Sequence, residues 1–107
     1  MTDYIDLAVR TAVWATRKGL MDDPRPLKQH DKLIEEVIEL RDELIERELQ
    51  GGNIQYVMGE LGDVIVVVHV LAAQLGIDPM ECFEMAVNKI EKRKGKMVNG
   101  TFVKDGS

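Results

Sequence analysis

The longest apolar segment of the chain, residues 54–75, sets the first constraint on the fold. Its Val and Ile content favours a β-strand by propensity. Its apolar residues, however, recur at helical spacing over about five turns, and a strand of that length is rare. The recurring residues are Val57, Leu61, Val64, Ile65, Val68, Leu71, Ala72 and Leu75. We therefore predict a helix over residues 54–75, with this stripe as its buried side.

Helical spacing and turn signals define three further helices, at about residues 3–18, 27–49 and 79–94. The stretch Gly51-Gly52-Asn53 provides the backbone freedom for a tight reversal, so the second and third helices should form an antiparallel hairpin. In the arm 95–107, Asn99-Gly100 lies between apolar pairs and favours a β-turn. We expect one all-α domain over residues 1–107, a four- to five-helix bundle with a short C-terminal arm or β-hairpin.

Composition excludes several classes of partner. The formal net charge of -5 gives the chain no overall positive field for nucleic acid. Its single cysteine, Cys82, forms no disulfide within the chain, and its first residues lack the pattern of a signal peptide, so a cytoplasmic protein is expected. The longest uninterrupted apolar run, Val64 to Val68 extended past His69 to Ala73, is about half as long as a bilayer crossing requires. We therefore expect no membrane partner.

Two acidic pairs, Glu36 with Glu39 and Glu60 with Asp63, lie beside the apolar stripes of the second and third helices. The stripe of the second helix consists of Leu33, Val37, Leu40 and Leu44. In each pair, the first acid lies about 70° and the second about 130° from the centre of the apolar stripe, and both lie to the same side. An antiparallel hairpin would therefore bring the four carboxylates together. Such charges repel unless neutralised, and oxygen ligands suit Mg²⁺ or Mn²⁺. The alternative is the solvated face of a charged helix.

A basic segment ends the predicted fourth helix, with Lys89, Lys92, Arg93, Lys94 and Lys96. Cations there complement the helix dipole, which needs no ligand. The alternative is a clamp for phosphate groups that acts together with bound metal ions.

Three segments together resemble the MazG-like, all-α nucleotide pyrophosphohydrolases. They are EEVIEL at 35–40, GELGDVIVVV at 59–68 and NKIEKRKGK at 88–96. That family carries an E-x-x-E pair followed by an E-x-x-D pair on two packed helices. VWATRKGL and KMVNGTFVK are also similar to segments of small phage and bacterial members.

The resemblance implies magnesium-dependent hydrolysis of a (deoxy)nucleoside triphosphate to the monophosphate and pyrophosphate, with a metal-activated water as nucleophile and Mn²⁺ as a substitute ion. It implies that the metal ligands are Glu36, Glu39, Glu60 and Asp63. Glu35 is carried over as an outer ligand or base. The resemblance adds substrate binding by Lys89 and Arg93, which match a K-x-x-x-R pattern, and the phosphate clamp adds Lys92 and Lys96.

The resemblance also implies a homodimer or homotetramer. A second apolar edge on the second helix agrees with this expectation; it consists of Ile34, Ile38, Ile45 and Leu49. Two alternatives remain open for the activity. One is a phosphoribosyl-ATP pyrophosphohydrolase-like enzyme, and the other is a catalytically inert helical module that binds metal or nucleotide.

Overall fold

The computed structural model describes residues 2–106, which form four α-helices followed by a two-stranded antiparallel sheet. The elements are α1 (Tyr4–Arg17), α2 (Pro26–Gln50), α3 (Ile54–Leu75), α4 (Pro79–Glu91), β1 (Gly95–Val98) and β2 (Thr101–Lys104). The mostly helical architecture agrees with the predicted all-α class, and the C-terminal arm is a β-hairpin.

Turn and capping residues explain where the helices begin and end. Gly51 adopts a left-handed φ of 67° at the end of α2, and the Asn53 side chain accepts a hydrogen bond from the Gln55 N–H, 2.8 Å away, at the start of α3. The hairpin turn has positive φ at both Asn99 and Gly100, as a type I′ turn requires.

Helix α4 ends earlier than the sequence predicted. It stops at Glu91, whereas the prediction extended to about Lys94. The backbone carbonyl of Lys94 already accepts a hydrogen bond from the Asp105 N–H, 2.7 Å away, beyond the end of β2. Pairing with the hairpin therefore replaces the last helical turn.

Helices α2 and α3 form the most extensive helix packing of the described residues, and α1 packs on α3. Two polar contacts attach the start of α1, and the segment that follows α1, to α3. The Tyr4 hydroxyl lies 2.6 Å from Nε2 of His69, and Nε2 of Gln74 donates to the Leu20 carbonyl over 3.1 Å. Residues 2–77 thus hold a three-helix core around α3.

The buried face of α3 is rotated from the predicted stripe. Its most buried residues are Val57, Val67, Val70 and Ala72. Four stripe residues remain 41–52% exposed, namely Leu61, Ile65, Val68 and Leu75. The predicted stripe is wrong in this part, because α3 is apolar in almost every direction and its spacing fits more than one face.

Helix α2 shows the same rotation. Glu36 is 7% exposed, whereas Val37 and Leu44, which belong to the predicted stripe, are 48% and 43% exposed. The offsets of the four acids suggested that they lie at the flank of the α2–α3 interface. Glu36 and Glu60 are instead more buried than this, whereas Glu39 and Asp63 are exposed. Because of this rotation, the contact between α2 and α3 contains the carboxylates of Glu36 and Glu60 as well as apolar side chains.

By length and composition, α3 is apolar enough to cross a membrane, with 22 residues and a mean hydropathy of 1.7 in its most apolar window. No membrane-spanning segment was expected, because the uninterrupted apolar run is short. A single helix of this kind is weak evidence for a membrane span, since core helices of globular proteins have similar length and composition. Only 17% of the window is buried within the chain.

The chain divides between Ile77 and Asp78 into two compact units, and the single domain over residues 1–107 stays a prediction. The first unit contains α1, α2 and α3. The second contains α4 and the β-hairpin. The residues of the second unit are mostly exposed.

Candidate metal centre

Three acids from two helices meet in the first unit. Glu36 comes from α2, and Glu60 and Asp63 come from α3. One carboxylate oxygen of each lies within 4.8 Å of those of the other two. Glu60 and Asp63 are neighbours because residues three positions apart lie on adjacent parts of a helix surface. The sequence predicted that these acids converge, and the structure brings these three together.

The burial of these carboxylates distinguishes the cluster from a solvated acidic surface. Glu36 is 7% exposed, Glu60 is half-buried and Asp63 is exposed. The Oε2 atoms of Glu36 and Glu60 are buried and have no hydrogen-bond partner among the described residues. A buried carboxylate without a partner is costly, and a bound cation would offset this cost.

The chemistry of these donors fits a hard divalent cation. The three residues offer only carboxylate oxygens, which suit Mg²⁺ and Mn²⁺. Histidine and cysteine, which zinc sites usually contain, are missing from the group. The three carboxylates are therefore suited to Mg²⁺ or Mn²⁺, the ions that the sequence pattern indicated.

Glu39, the fourth predicted ligand, is not among the three acids whose oxygens converge, although their charges act on it, and its role as a ligand stays a prediction. Repulsion from Glu36 raises the pKa of Glu39, and a hydrogen bond that protonated Glu39 can donate to Glu36 adds to this effect. Desolvation and the charge of Glu60 raise the pKa further, whereas Lys32 lowers it. We refer to Glu36, Glu39, Glu60 and Asp63 as the acidic cluster.

Sequence reasoning missed Lys32, which lies beside the acidic cluster. Its Nζ is 3.3 Å from Oε1 of Glu36 and 3.8 Å from Oε2 of Glu35. The pKa of Lys32 is raised, first by its hydrogen bond to Glu36 and then by the charge of Glu35. The spacing of four residues between Lys32 and Glu36 is a signal that could have identified the pair.

Glu35, predicted as an outer ligand or base, has a side chain that is 66% exposed and that contacts Lys32. It does not belong to the three acids whose oxygens converge. Its role as an outer ligand or base stays a prediction.

The predicted substrate-binding cations all belong to the second unit. Lys89 lies in the last turn of α4, Lys92 caps that helix, Arg93 follows it and Lys96 lies in β1. None of the four forms a salt bridge with another described residue. Their charges are thus available to an anion, and substrate binding by them stays a prediction.

The main feature of the site is a helical hairpin that brings three carboxylates together. The family model described as the MazG nucleotide pyrophosphohydrolase domain matches residues 26–98, which is more than half of the chain. This range runs from the first residue of α2 to the last residue of β1. The chain therefore belongs to the MazG nucleotide pyrophosphohydrolase family. Comparisons with curated proteins and with solved structures gave no match.

Proposed function

We propose that the protein hydrolyses (deoxy)nucleoside triphosphates to the monophosphate and pyrophosphate, with Mg²⁺ held by the acidic cluster. The observation that carries the proposal is the convergence of Glu36, Glu60 and Asp63 around buried carboxylate oxygens without partners. Membership of the MazG family supports the reaction class. Mn²⁺ should substitute for Mg²⁺ because both favour oxygen ligands.

The reaction breaks the anhydride bond between the α- and β-phosphates. When bound, a divalent ion lowers the pKa of water and stabilises the charge on the leaving pyrophosphate. Glu36, Glu60 and Asp63 hold and orient the ion from two helices, and Glu39 contributes further negative charge. The oxygen of the water forms the new bond to phosphorus, its proton passes to a base, for which we propose Glu35, and pyrophosphate leaves with the electrons of the broken bond.

Phosphate binding is the role we propose for the basic side chains at the end of α4. Lys89 and Arg93 would bind phosphate oxygens as charged hydrogen-bond donors, and Lys92 and Lys96 would add positive charge. Such donors are needed because the chain as a whole is negatively charged.

A pyrophosphate-release screen tests the proposed reaction. The purified protein is incubated with Mg²⁺ or Mn²⁺ and a panel of ribo- and deoxyribonucleoside triphosphates, modified bases and phosphoribosyl-ATP. We expect pyrophosphate and a monophosphate in equal amounts from at least one of them, and none in EDTA. No release from the whole panel with either metal would rule out the reaction, and release of inorganic phosphate alone would identify a different one.

We also propose that the protein is a homodimer or homotetramer. The second apolar edge of α2 is uncovered within the chain, with Ile34, Ile38 and Ile45 each 43–46% exposed. Several apolar residues of α3 are exposed to a similar extent. Contiguous apolar surface of this kind on a small chain favours association with a second copy.

A further inference from the structure

Lys32 lies beside the acidic cluster, although the proposed reaction gives it no part. It precedes Glu36 by one helical turn, and its Nζ lies 3.3 Å from Oε1 of Glu36. Among residues 2–106, no other Lys or Arg side chain comes within 4.0 Å of a cluster carboxylate. The fold thus places one cation in contact with Glu36, the most buried acid of the cluster.

Glu36 depends on this cation because its carboxylate is buried. A buried charge is strongly unfavourable unless it is paired, and Lys32 contacts only one of the two oxygens. The second oxygen, Oε2, has no partner among the described residues. One ammonium group therefore neutralises a small part of the negative charge that the four acids create.

Lys32 and a divalent ion would compete for this carboxylate. Two cations held a few ångströms apart in a partly buried site repel one another. The Lys32 side chain is 51% exposed, and its flexible stem lets the ammonium group move into solvent. Displacement of Lys32 therefore needs no rearrangement of α2.

We propose that Lys32 is the counter-ion of the metal-free acidic cluster and that a divalent ion displaces it on binding. The inference rests on the proposed function, because it assumes that the cluster holds metal. Lys32 then acts as a positioning residue: it holds Glu36 ready as a ligand and weakens the binding of divalent ions.

Calorimetric titration with Mn²⁺ in the absence of nucleotide tests this role, at about pH 8 and low ionic strength, where charges are least screened. We expect Lys32→Gln to bind Mn²⁺ roughly three- to tenfold more tightly than the unmodified protein, the range for loss of a partly exposed competing charge. Lys32→Arg keeps the charge and should bind within about twofold of the unmodified protein.

Lys28→Gln is the matched control, because Lys28 lies one turn earlier on α2 and forms no salt bridge with a described residue. It should leave the Mn²⁺ affinity unchanged. Unchanged or weaker binding by Lys32→Gln, with normal circular dichroism, would overturn the role of Lys32 while leaving the metal site intact. If the unmodified protein itself bound no Mn²⁺, the proposed metal-dependent function would fail, and the role of Lys32 would fail with it.

Discussion

Asp63 is an exposed acid of the cluster and forms no ion pair with a described residue. Its replacement by Asn removes a ligand charge and changes little volume. We expect Asp63→Asn to lower pyrophosphate release by at least about 100-fold, since a lost ligand removes several kcal/mol of transition-state stabilisation. Its melting temperature in EDTA should stay within about 4 °C of the unmodified protein, as for most surface substitutions.

Asp42→Asn is the control for this variant. Asp42 also lies on a helix of the hairpin, but it is paired with Arg41 at the surface. It should retain full activity. Full activity in Asp63→Asn would show that hydrolysis takes place without the acidic cluster.

Glu39 gives the metal-free protein a pH-dependent stability. Its pKa is raised, chiefly by repulsion from Glu36, so the folded state binds this proton more tightly than the unfolded state does. The ionised group therefore destabilises the fold above its folded pKa, and the penalty disappears below its unfolded pKa.

We expect Glu39→Gln to melt at a higher temperature than the unmodified protein at about pH 7 in EDTA, and this gain should vanish as the pH falls to about 4. Thermal melts across this pH range measure the difference. Glu48→Gln, an exposed acid near the end of the same helix, is the control and should show no such gain. A gain for Glu39→Gln that is equal at every pH would contradict the electrostatic cause.

The residues of the site were predictable to different degrees. The convergence of Glu36, Glu60 and Asp63 could be predicted, because the spacing of the acids in each helix and the turn between the helices determine which side they share. Lys32 was missed because α2 carries many charges at four-residue spacing, and spacing alone does not show which pairs are buried. The burial of Glu36 depends on the rotation of two helices, which only packing decides.

At the level of the elements, a substitution at Gly51 tests how the chain reverses direction between α2 and α3. Its φ of 67° is unfavourable for any residue with a Cβ. We expect Gly51→Ala to lower the free energy of unfolding by roughly 1–2 kcal/mol, measured by urea titration.

Gly59→Ala is the matched substitution, because Gly59 lies inside α3 and an added Cβ would meet nothing within 4 Å. It should raise the free energy of unfolding by roughly 0.5–1 kcal/mol, through better helix propensity. Equal effects of the two substitutions would contradict the left-handed conformation at Gly51.

Turn chemistry made the element boundaries predictable, whereas the orientation of α3 was not. Gly51, Asn53 and the Asn99-Gly100 pair each favour one local conformation, and the predicted ends of α1, α2 and α3 lie within one residue of those observed. Apolar residues in α3 point in almost every direction, so spacing could not show which of them face α2. The early end of α4 arises from pairing with the hairpin, which local sequence does not encode.

At the level of the whole molecule, the exposed apolar surface of α3 provides a test of assembly. Val68 is 41% exposed, and a charge there would be buried in an interface that covers this side. We expect Val68→Glu to dissociate the oligomer, so that light scattering gives about the mass of one 12.1 kDa chain.

Gln55→Glu introduces the same charge at an exposed polar position in the first turn of α3. It should keep the oligomeric mass. A monomeric mass for the unmodified protein at micromolar concentration would contradict the proposed assembly.

The division of the chain between Ile77 and Asp78 was not predictable from composition. The turn Gly76-Ile77 between α3 and α4 resembles any short helix connection, and neither Pro-rich nor charged sequence marks the boundary. Helix α4 does carry apolar residues at helical spacing, and Met80, Phe83 and Ile90 among them are 42–63% exposed.

If the unpartnered oxygens of Glu36 and Glu60 hold a divalent ion as proposed, the concentration of that ion also affects the stability of the folded protein. Any ion that binds the folded chain and not the unfolded one stabilises it by mass action, by about 2.7 kcal/mol at one hundred times its dissociation constant. Chelation should therefore increase the fraction of unfolded chains and speed their digestion by a protease, and added Mg²⁺ should reverse this. Depletion of magnesium would then shorten the lifetime of the protein as well as stop its reaction.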